Sequence, residues 1–211
     1  MFQNRLELAV AAVFTGIISI FRGRDYYAKY IRMYSVDLAK IPSFSIVLKN
    51  SKGRVVEVGC GIGYISKYFD SDNYVGLDVS QDAIRTAKRL TGHSFLVASA
   101  ENLPFRQGSF DTAISYDVIE HVYRTGSMVS EIRRASSNAL ISCIDFASWY
   151  RFFSFDSTHI KMYVPSELDD ILGEFYKVTI IKTSGIFSAG RLKKFLEKYG
   201  KNQIVAICKE K

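Results

Sequence analysis

Three glycines that directly follow an apolar segment are the residues of this sequence best suited to bind a ligand. Residues 54–58 are mostly apolar and form a predicted strand. Gly59, Gly61 and Gly63 follow this strand at alternate positions. Glycine lets the backbone approach a ligand closely, and a helix that begins here would offer its N–H groups. Ligands of open α/β sheets bind beyond the carboxyl ends of the strands. The turn is therefore a candidate ligand site.

A carboxylate about twenty residues after the glycine turn narrows the class of ligand. Asp78 ends the second predicted strand, where an acid can accept hydrogen bonds from the two hydroxyls of a ribose. Ser80 is better placed than Asp78 to cap the helix that follows. The glycine spacing is GxGxG, with Glu57 two residues ahead of it, rather than the GxGxxG of dinucleotide folds. Together these features predict a nucleoside ligand.

Short apolar segments alternate with amphipathic segments from residue 51 onward. Parallel strands need crossover connections, so this alternation predicts a doubly wound, mostly parallel α/β sheet with helices on both faces. Residues 1–50 are predicted to form a helical extension or cap, and residues 51–211 the main domain. The predicted strands are residues 54–58, 74–77, 94–97, 112–115, 139–144, 177–182 and 204–208, and the predicted helices are residues 62–69, 81–90, 128–135 and 191–199.

Composition places limits on the class of protein. The chain has 211 residues, 48% of them hydrophobic and 23% charged, which suits one well-buried domain rather than a disordered chain or a coiled coil. The net charge of +7 permits an anionic partner such as nucleic acid or a membrane surface, but scattered Lys and Arg favour a solvated basic surface. Three widely spaced cysteines indicate a reducing compartment, so we expect a cytoplasmic protein.

The uncharged residues 8–21 are too few for the ~18 residues of a membrane-spanning helix. We expect them to form a buried helix or one that contacts a membrane peripherally.

Several motifs resemble one enzyme family. Residues 57–63 and 76–80 resemble the cofactor site of class I S-adenosylmethionine-dependent methyltransferases. Residues 100–105 with 109–115, and 156–160 with 165–168, resemble the subgroup that includes the quinone-biosynthesis methyltransferases. The resemblance covers residues 52 to 208 and implies a seven-stranded, Rossmann-like sheet that binds S-adenosylmethionine.

The same resemblance assigns roles to individual residues. It implies that the glycine turn holds the methionine part of the cofactor, that Asp78 binds the ribose, and that Val79 packs on the adenine. Ser99 stands where the family often has an aspartate, which removes the charge from the hydrogen bond expected there. The predicted cofactor-binding residues are Glu57, Gly59, Cys60, Gly61, Gly63, Asp78, Val79, Ser99, Ala100, Glu101, Ser115 and Tyr116.

The reaction implied is an in-line displacement at a sulfonium, in which the protein mainly orients the reactants. A base is needed only when the acceptor must lose a proton. His121, which follows the fourth predicted strand, and Tyr116 are the candidate catalytic residues. His121 has three interpretations: a structural residue at a helix start, a general base, or a metal ligand.

The metal hypothesis is the less favoured one and rests on a resemblance. The pattern acid-x-x-Glu-His is similar to a divalent-metal site in some quinone O-methyltransferases and small-RNA end methyltransferases. It nominates Asp117, Glu120 and His121, with His159 as a further ligand, for magnesium or manganese.

We expect a small-molecule acceptor, and aromatic residues within 149–155 favour an apolar or planar one. Two alternatives stay open. The positive charge fits an RNA methyltransferase, and Ser99 with the lack of an obvious base fits a non-catalytic, cofactor-binding partner subunit.

Overall fold

The computed structural model describes residues 37–148, 158–183 and 202–211, and these residues form one α/β sheet with helices on its two faces. The strands are β1 (Val55–Val58), β2 (Tyr74–Asp78), β3 (Ser94–Val97), β4 (Phe110–Tyr116), β5 (Ser136–Ile144), β6 (Lys177–Thr183) and β7 (Gln203–Lys209). The α-helices of the described residues are α1 (Pro42–Asn50), α2 (Gln81–Leu90), α3 (Thr125–Ala135) and α4 (Pro165–Gly173). Short 3-10 turns occupy Leu38–Lys40, Ser66–Tyr68, Ser71–Asn73 and Ile119–His121.

The sheet has the strand order β3-β2-β1-β4-β5-β7-β6. Strands β1 to β5 are parallel, whereas β7 runs antiparallel to both of its neighbours. Strands β2 and β3 lie on one side of β1, and β4 and β5 lie on the other. The strand order therefore reverses between β1 and β4, and a crevice opens beyond the carboxyl ends of these two strands. The prediction of a doubly wound, mostly parallel, seven-stranded sheet is confirmed.

The two faces of the sheet carry separate apolar clusters because side chains alternate along a strand. Val56 and Val58 of β1 pack on the face covered by α3 and α4, together with Met128 and Leu168. Val55 packs on the opposite face with residues of α1 and α2. Helix α2 begins where the Ser80 hydroxyl accepts a hydrogen bond from the Ala83 amide, and it buries Ala83, Ile84 and Ala87 on one side.

One predicted helix is wrong. Residues 62–69 form turns and the single 3-10 turn Ser66–Tyr68 rather than an α-helix. Gly61 and Gly63 both adopt positive φ angles, of 53° and 75°, which an α-helix does not accommodate. The helix predicted over residues 128–135 is present but begins three residues earlier, at Thr125.

Helix α1 belongs to the core of the sheet rather than lying apart from it. It buries Phe44 and Val47 in the same cluster as Val55 of β1 and Ile114 of β4. Residues 1–36 and the helix predicted over 191–199 lie outside the described residues, as does the uncharged segment 8–21, so those expectations stay predictions. Within the described ranges, no helix is both long enough and apolar enough to cross a bilayer.

We predict that Gly59→Ala destabilises the fold by about 2 kcal/mol or more. Gly59 has a φ of 81°, and a Cβ atom there would lie 2.4 Å from Cγ2 of Val118, which follows β4. Gly126→Ala is the matched control, because a Cβ atom on that residue of α3 meets nothing within 4 Å. Thermal or urea unfolding should show a large loss for the first variant and no loss, or a small gain, for the second. Equal stability of the two would contradict the close contact between Gly59 and Val118.

Candidate functional site

The glycine turn is tied by its backbone to the carboxyl end of β2. The amides of Gly59 and Cys60 both donate to the Leu77 carbonyl, at 2.8 and 2.9 Å, and the Gly61 amide donates to Oδ2 of Asp78 at 2.9 Å. A Cβ atom on Gly61 would meet no heavy atom within 4 Å, so the turn leaves open space at this residue. The structure therefore brings the glycine turn and Asp78 side by side at the crevice between β1 and β4.

Asp78 is held in a defined orientation beside exposed apolar side chains. Its Oδ1 accepts from the Ser80 amide at 2.8 Å, so each carboxylate oxygen has one backbone donor and retains capacity for another. Val79 is 76% exposed and Val97, at the end of β3, is 54% exposed. Apolar side chains exposed beside an oriented carboxylate suit a ligand with a planar ring and neighbouring hydroxyls.

The loop after β3 is stabilised by its own polar side chains. The Ser99 hydroxyl is exposed and accepts from the Glu101 amide at 3.2 Å. The Glu101 carboxylate accepts from the Arg124 amide at 3.1 Å and from its Nε atom at 2.7 Å, and these bonds hold the pKa of Glu101 below its usual range. Glu101 therefore ties this loop to the start of α3, while Ala100 packs against the core.

Two predicted cofactor residues lie beneath the turn. Glu57 is 2% exposed and accepts a hydrogen bond from the Tyr74 hydroxyl. Burial raises the pKa of Glu57 to about 8, although the Tyr74 bond opposes this shift. Cys60 is 1% exposed, and burial raises its thiol pKa far above the usual value. Both predicted side chains are therefore buried next to the turn rather than exposed at the surface.

The structure does not support a catalytic role for Tyr116. Its side chain is 4% exposed and turns into the core toward α1, where its hydroxyl shares a hydrogen bond with the Ser43 hydroxyl. Burial raises the pKa of Tyr116 well above its usual range, so the phenol stays protonated. Ser115 is also buried, on the opposite face of β4. The alternation of β4 therefore directs both predicted side chains into the interior rather than toward a ligand.

Asp117 follows β4 and is the one non-glycine residue with a positive φ, of 57°, among the residues described. Its amide donates to the Ser142 carbonyl at 3.0 Å, and its Oδ1 accepts from the Gln203 side-chain amide and, at 3.4 Å, from the Ser142 hydroxyl. Burial raises the pKa of Asp117 to about 7. Unusual backbone conformations and perturbed carboxyl groups concentrate at functional sites. Sequence reasoning named Asp117 only as a metal candidate, because Gln203, which binds its carboxylate, is remote in the chain.

The metal candidates are only partly brought together. One ligand atom from each of Glu120, His121 and His159 lies within 4.8 Å of the others, whereas Asp117 is not part of this group. Asp117 is instead directed toward Gln203 of β7, so its nomination by the acid-x-x-Glu-His spacing is not supported. The proximity of His159 to His121 agrees with the hypothesis that it completes the group.

The strand order, with an antiparallel β7 beside β5 and β6, is that of the Rossmann-like methyltransferase fold, and the glycine turn is paired with an acid after β2. Residues 56–138 match the family model described as a methyltransferase domain. A solved S-adenosylmethionine-dependent methyltransferase from Archaeoglobus fulgidus superposes with a TM-score of 0.64 and 19% identity over 88% of this chain and all of the other.

Curated relatives match the same region. An uncharacterised protein of Methanocaldococcus jannaschii is 37% identical over 99 residues, which are 44% of this chain and 39% of the relative. A fatty-acid O-methyltransferase of Mycolicibacterium smegmatis is 34% identical over 89 residues, which are 38% of this chain and 32% of the relative. The chain thus spans about a third of the length of the curated relatives that it matches.

We predict that Glu57 makes the fold less stable as the pH rises. The folded-state pKa of about 8 lies above the ordinary value of 4.5, so its contribution is complete below about pH 4.5 and is lost as the pH rises through about 8. Glu57→Gln cannot titrate and should flatten the decline of the melting temperature between about pH 5 and pH 8.

Glu131→Gln is the matched control for this measurement. Bonds from Arg134 lower the pKa of Glu131, so its contribution to stability is lost as the pH falls. Its removal should leave the decline between about pH 5 and pH 8 unchanged. If the melting temperature of Glu57→Gln fell with pH as steeply as that of the unaltered chain, the pKa of Glu57 would not be raised in the folded protein.

Proposed function

We propose that the protein transfers the methyl group of S-adenosylmethionine to a small-molecule acceptor. The observation that carries this proposal is the contact between the glycine turn and Asp78 at the crevice of the sheet, where the Gly61 amide holds the carboxylate. A cofactor with a ribose between an amino-acid end and an adenine fits this arrangement. The matched methyltransferase domain supports the same conclusion.

The cofactor would lie across the carboxyl ends of β1, β2 and β3. Its methionine end would rest on the turn from Gly59 to Gly63, its ribose on Asp78, and its adenine against the exposed side chain of Val79. Ser99, in the loop after β3, would face the rim of the adenine. The end of β4 would lie next to the bound cofactor, because Val118, which follows β4, lies directly against Gly59.

The acceptor is proposed to be apolar and to carry a hydroxyl or carboxyl group. Tyr123, Ile160 and Met162 are exposed large apolar residues in the two segments that meet at Glu120. Such side chains would provide an apolar surface for a lipid-like acceptor. The fatty-acid O-methyltransferase among the relatives supports this class of acceptor.

Asp117 is the proposed proton acceptor when the nucleophile is a hydroxyl. S-adenosylmethionine would supply the methyl group to the acceptor oxygen and would leave as S-adenosylhomocysteine once its carbon–sulfur bond breaks. The Asp117 carboxylate would accept the proton of the acceptor hydroxyl. Gln203 and Ser142 bind one oxygen of that carboxylate, which would leave the second for the acceptor. A carboxyl group with a pKa of about 7 is suited to this exchange near neutral pH.

The cofactor assignment predicts micromolar binding of S-adenosylmethionine and S-adenosylhomocysteine, about 8 kcal/mol, in a calorimetric titration. Asp78→Ala should weaken both by ~1.5–3 kcal/mol, because the ribose hydroxyls lose a charged acceptor. Asp82→Ala is the matched control, because this aspartate lies on α2 and its side chain is 71% exposed. Unchanged affinity of the Asp78 variant, with its fold intact, would refute the ribose assignment.

The proton-transfer assignment predicts the fate of a labelled methyl group. With a radiolabelled methyl donor and fractionated cell extract, label should appear in the lipid fraction, at a rate that rises with pH through about 7 as Asp117 ionises. Asp117→Asn should lower that rate by ~10²–10⁴ without changing cofactor affinity.

The same assay separates the competing hypotheses. Label in the RNA fraction would favour a nucleic-acid methyltransferase, and cofactor binding with no label in any fraction would favour a non-catalytic subunit. A rate that depends on His121 but not on Asp117 would assign the base to His121 instead.

A further inference from the structure

We propose that Glu101 is a positioning residue for the cofactor, which acts by holding the loop after β3 against the start of α3 through Arg124. This inference rests on the proposed function, because it concerns the loop that would lie beside the adenine. Glu101 would set the affinity for the cofactor without touching it. Its role therefore differs from the direct cofactor contact that the sequence predicted.

The loop after β3 belongs to a connection with no regular secondary structure of its own. Residues 98–109 join β3 to β4 and form turns with one isolated bridge, between Ser99 and Asn102. The main-chain groups of such a connection must be bound by other parts of the chain or by water. The position of this connection therefore depends on the side chains that bind it.

Side chains near the end of α3 bind the middle of the connection. Oε2 of Glu131 accepts a hydrogen bond from the Leu103 amide at 2.8 Å. The Arg134 guanidinium donates to the carbonyl oxygens of Leu103 and Phe105. Leu103 and Phe105 also pack on the face of the sheet that α3 covers. This part of the connection is therefore held without any help from Glu101.

The contact at the start of α3 is the one that lies beside the proposed adenine site. The Glu101 carboxylate accepts from the Arg124 amide at 3.1 Å and from Nε of Arg124 at 2.7 Å. The Glu101 amide donates to the Ser99 hydroxyl at 3.2 Å. In the same loop, the Ala98 amide donates to the Asp78 carbonyl at 3.0 Å. Glu101 is thus bonded directly to Ser99, the residue proposed to face the adenine.

The same contact reaches from one side of the proposed cofactor site to the other. Strand β3 is at the edge of the sheet, and β2 and β1 lie between it and β4. Neighbouring strands are about 4.8 Å apart, so these three steps cover about 14 Å. Glu101 comes from the loop after β3, and Arg124 ends the segment that follows β4. The ion pair therefore fixes the loops on the two sides of the site relative to each other.

The exposure of the pair separates its effect on binding from its effect on stability. The Arg124 side chain is 75% exposed and the Glu101 side chain is 17% exposed. Ion pairs with so exposed a partner add little to the stability of a fold, and salt weakens them. Without the pair, a ligand must order the loop itself and binds less tightly. Cofactor affinity should therefore respond to the loss of the pair more than the melting temperature does.

The test is a calorimetric titration of S-adenosylhomocysteine into the purified full-length chain. Glu101→Ala removes both bonds and should weaken binding about tenfold, whereas Arg124→Met removes one and should weaken it about threefold. The double variant should bind no more weakly than Glu101→Ala, because both changes remove the same contact. Arg85→Met is the matched control, since it breaks an exposed ion pair with Asp82 on α2, and it should bind as the unaltered chain does.

Salt dependence gives a second signature, which a merely structural role would not produce. At about 1 M salt, the affinity of the unaltered chain should fall toward that of Arg124→Met, whose own affinity should change little. Melting temperatures without ligand should agree within a few degrees among these proteins. If Glu101→Ala does not fold, Arg124→Met and the salt dependence still decide.

The outcomes separate this inference from the proposed function. Failure of the unaltered chain to bind S-adenosylhomocysteine would refute the proposed function. Binding that is weakened by Asp78→Ala but not by Glu101→Ala or Arg124→Met would overturn this inference alone. Additive losses in the double variant, or an equal loss in Arg85→Met, would overturn it as well.

Discussion

The hydrogen bonds between the glycine turn and the end of β2 are the interaction on which the rest of the site depends. Two successive amides, of Gly59 and Cys60, share the Leu77 carbonyl, and the next amide holds the Asp78 carboxylate. This arrangement requires a backbone with positive φ at Gly59 and Gly61. It also brings Gly59 against Val118, so the same turn sets the distance between the nucleoside site and the residues after β4.

Buried carboxyl groups line the same end of the sheet, and each is compensated differently. Glu57 beneath the turn accepts a bond from Tyr74, Asp117 accepts bonds from Gln203 and Ser142, and Asp145 pairs with Lys182 at 2.8 Å. Burying a carboxyl group costs free energy unless it is bonded or protonated. The raised pKa values of Glu57 and Asp117 show where bonding does not fully offset burial. The burial of Glu57 and Asp117 therefore costs folding free energy, and it gives both carboxyl groups pKa values near neutral pH.

The chemistry at the end of β4 depends on two segments that come late in the chain. Gln203 of the antiparallel β7 reaches Asp117, and the segment 158–161 reaches Glu120 and His121. An antiparallel strand inserted between β5 and β6 directs its first residues toward the carboxyl ends of the parallel strands. The strand order thus places the Gln203 side chain next to the end of β4.

The sequence by itself determined the alternation of strands and helices, the glycine turn and the acid that follows β2. These features are local: apolar periodicity, glycine spacing and a helix cap each involve only a few neighbouring residues. Local pattern gave a wrong prediction at residues 62–69. Their apolar spacing is typical of a helix, but Gly61 and Gly63 adopt positive φ angles there, and no α-helix forms. Local pattern also gave a wrong role for Tyr116, because the spacing of a motif does not reveal which face of β4 a side chain occupies.

Only the tertiary structure decided that Gln203 contacts Asp117 and that His159 contacts His121. Those contacts join residues that are 86 and 38 positions apart, and their pairing follows from strand order and loop path rather than from any pattern within either segment.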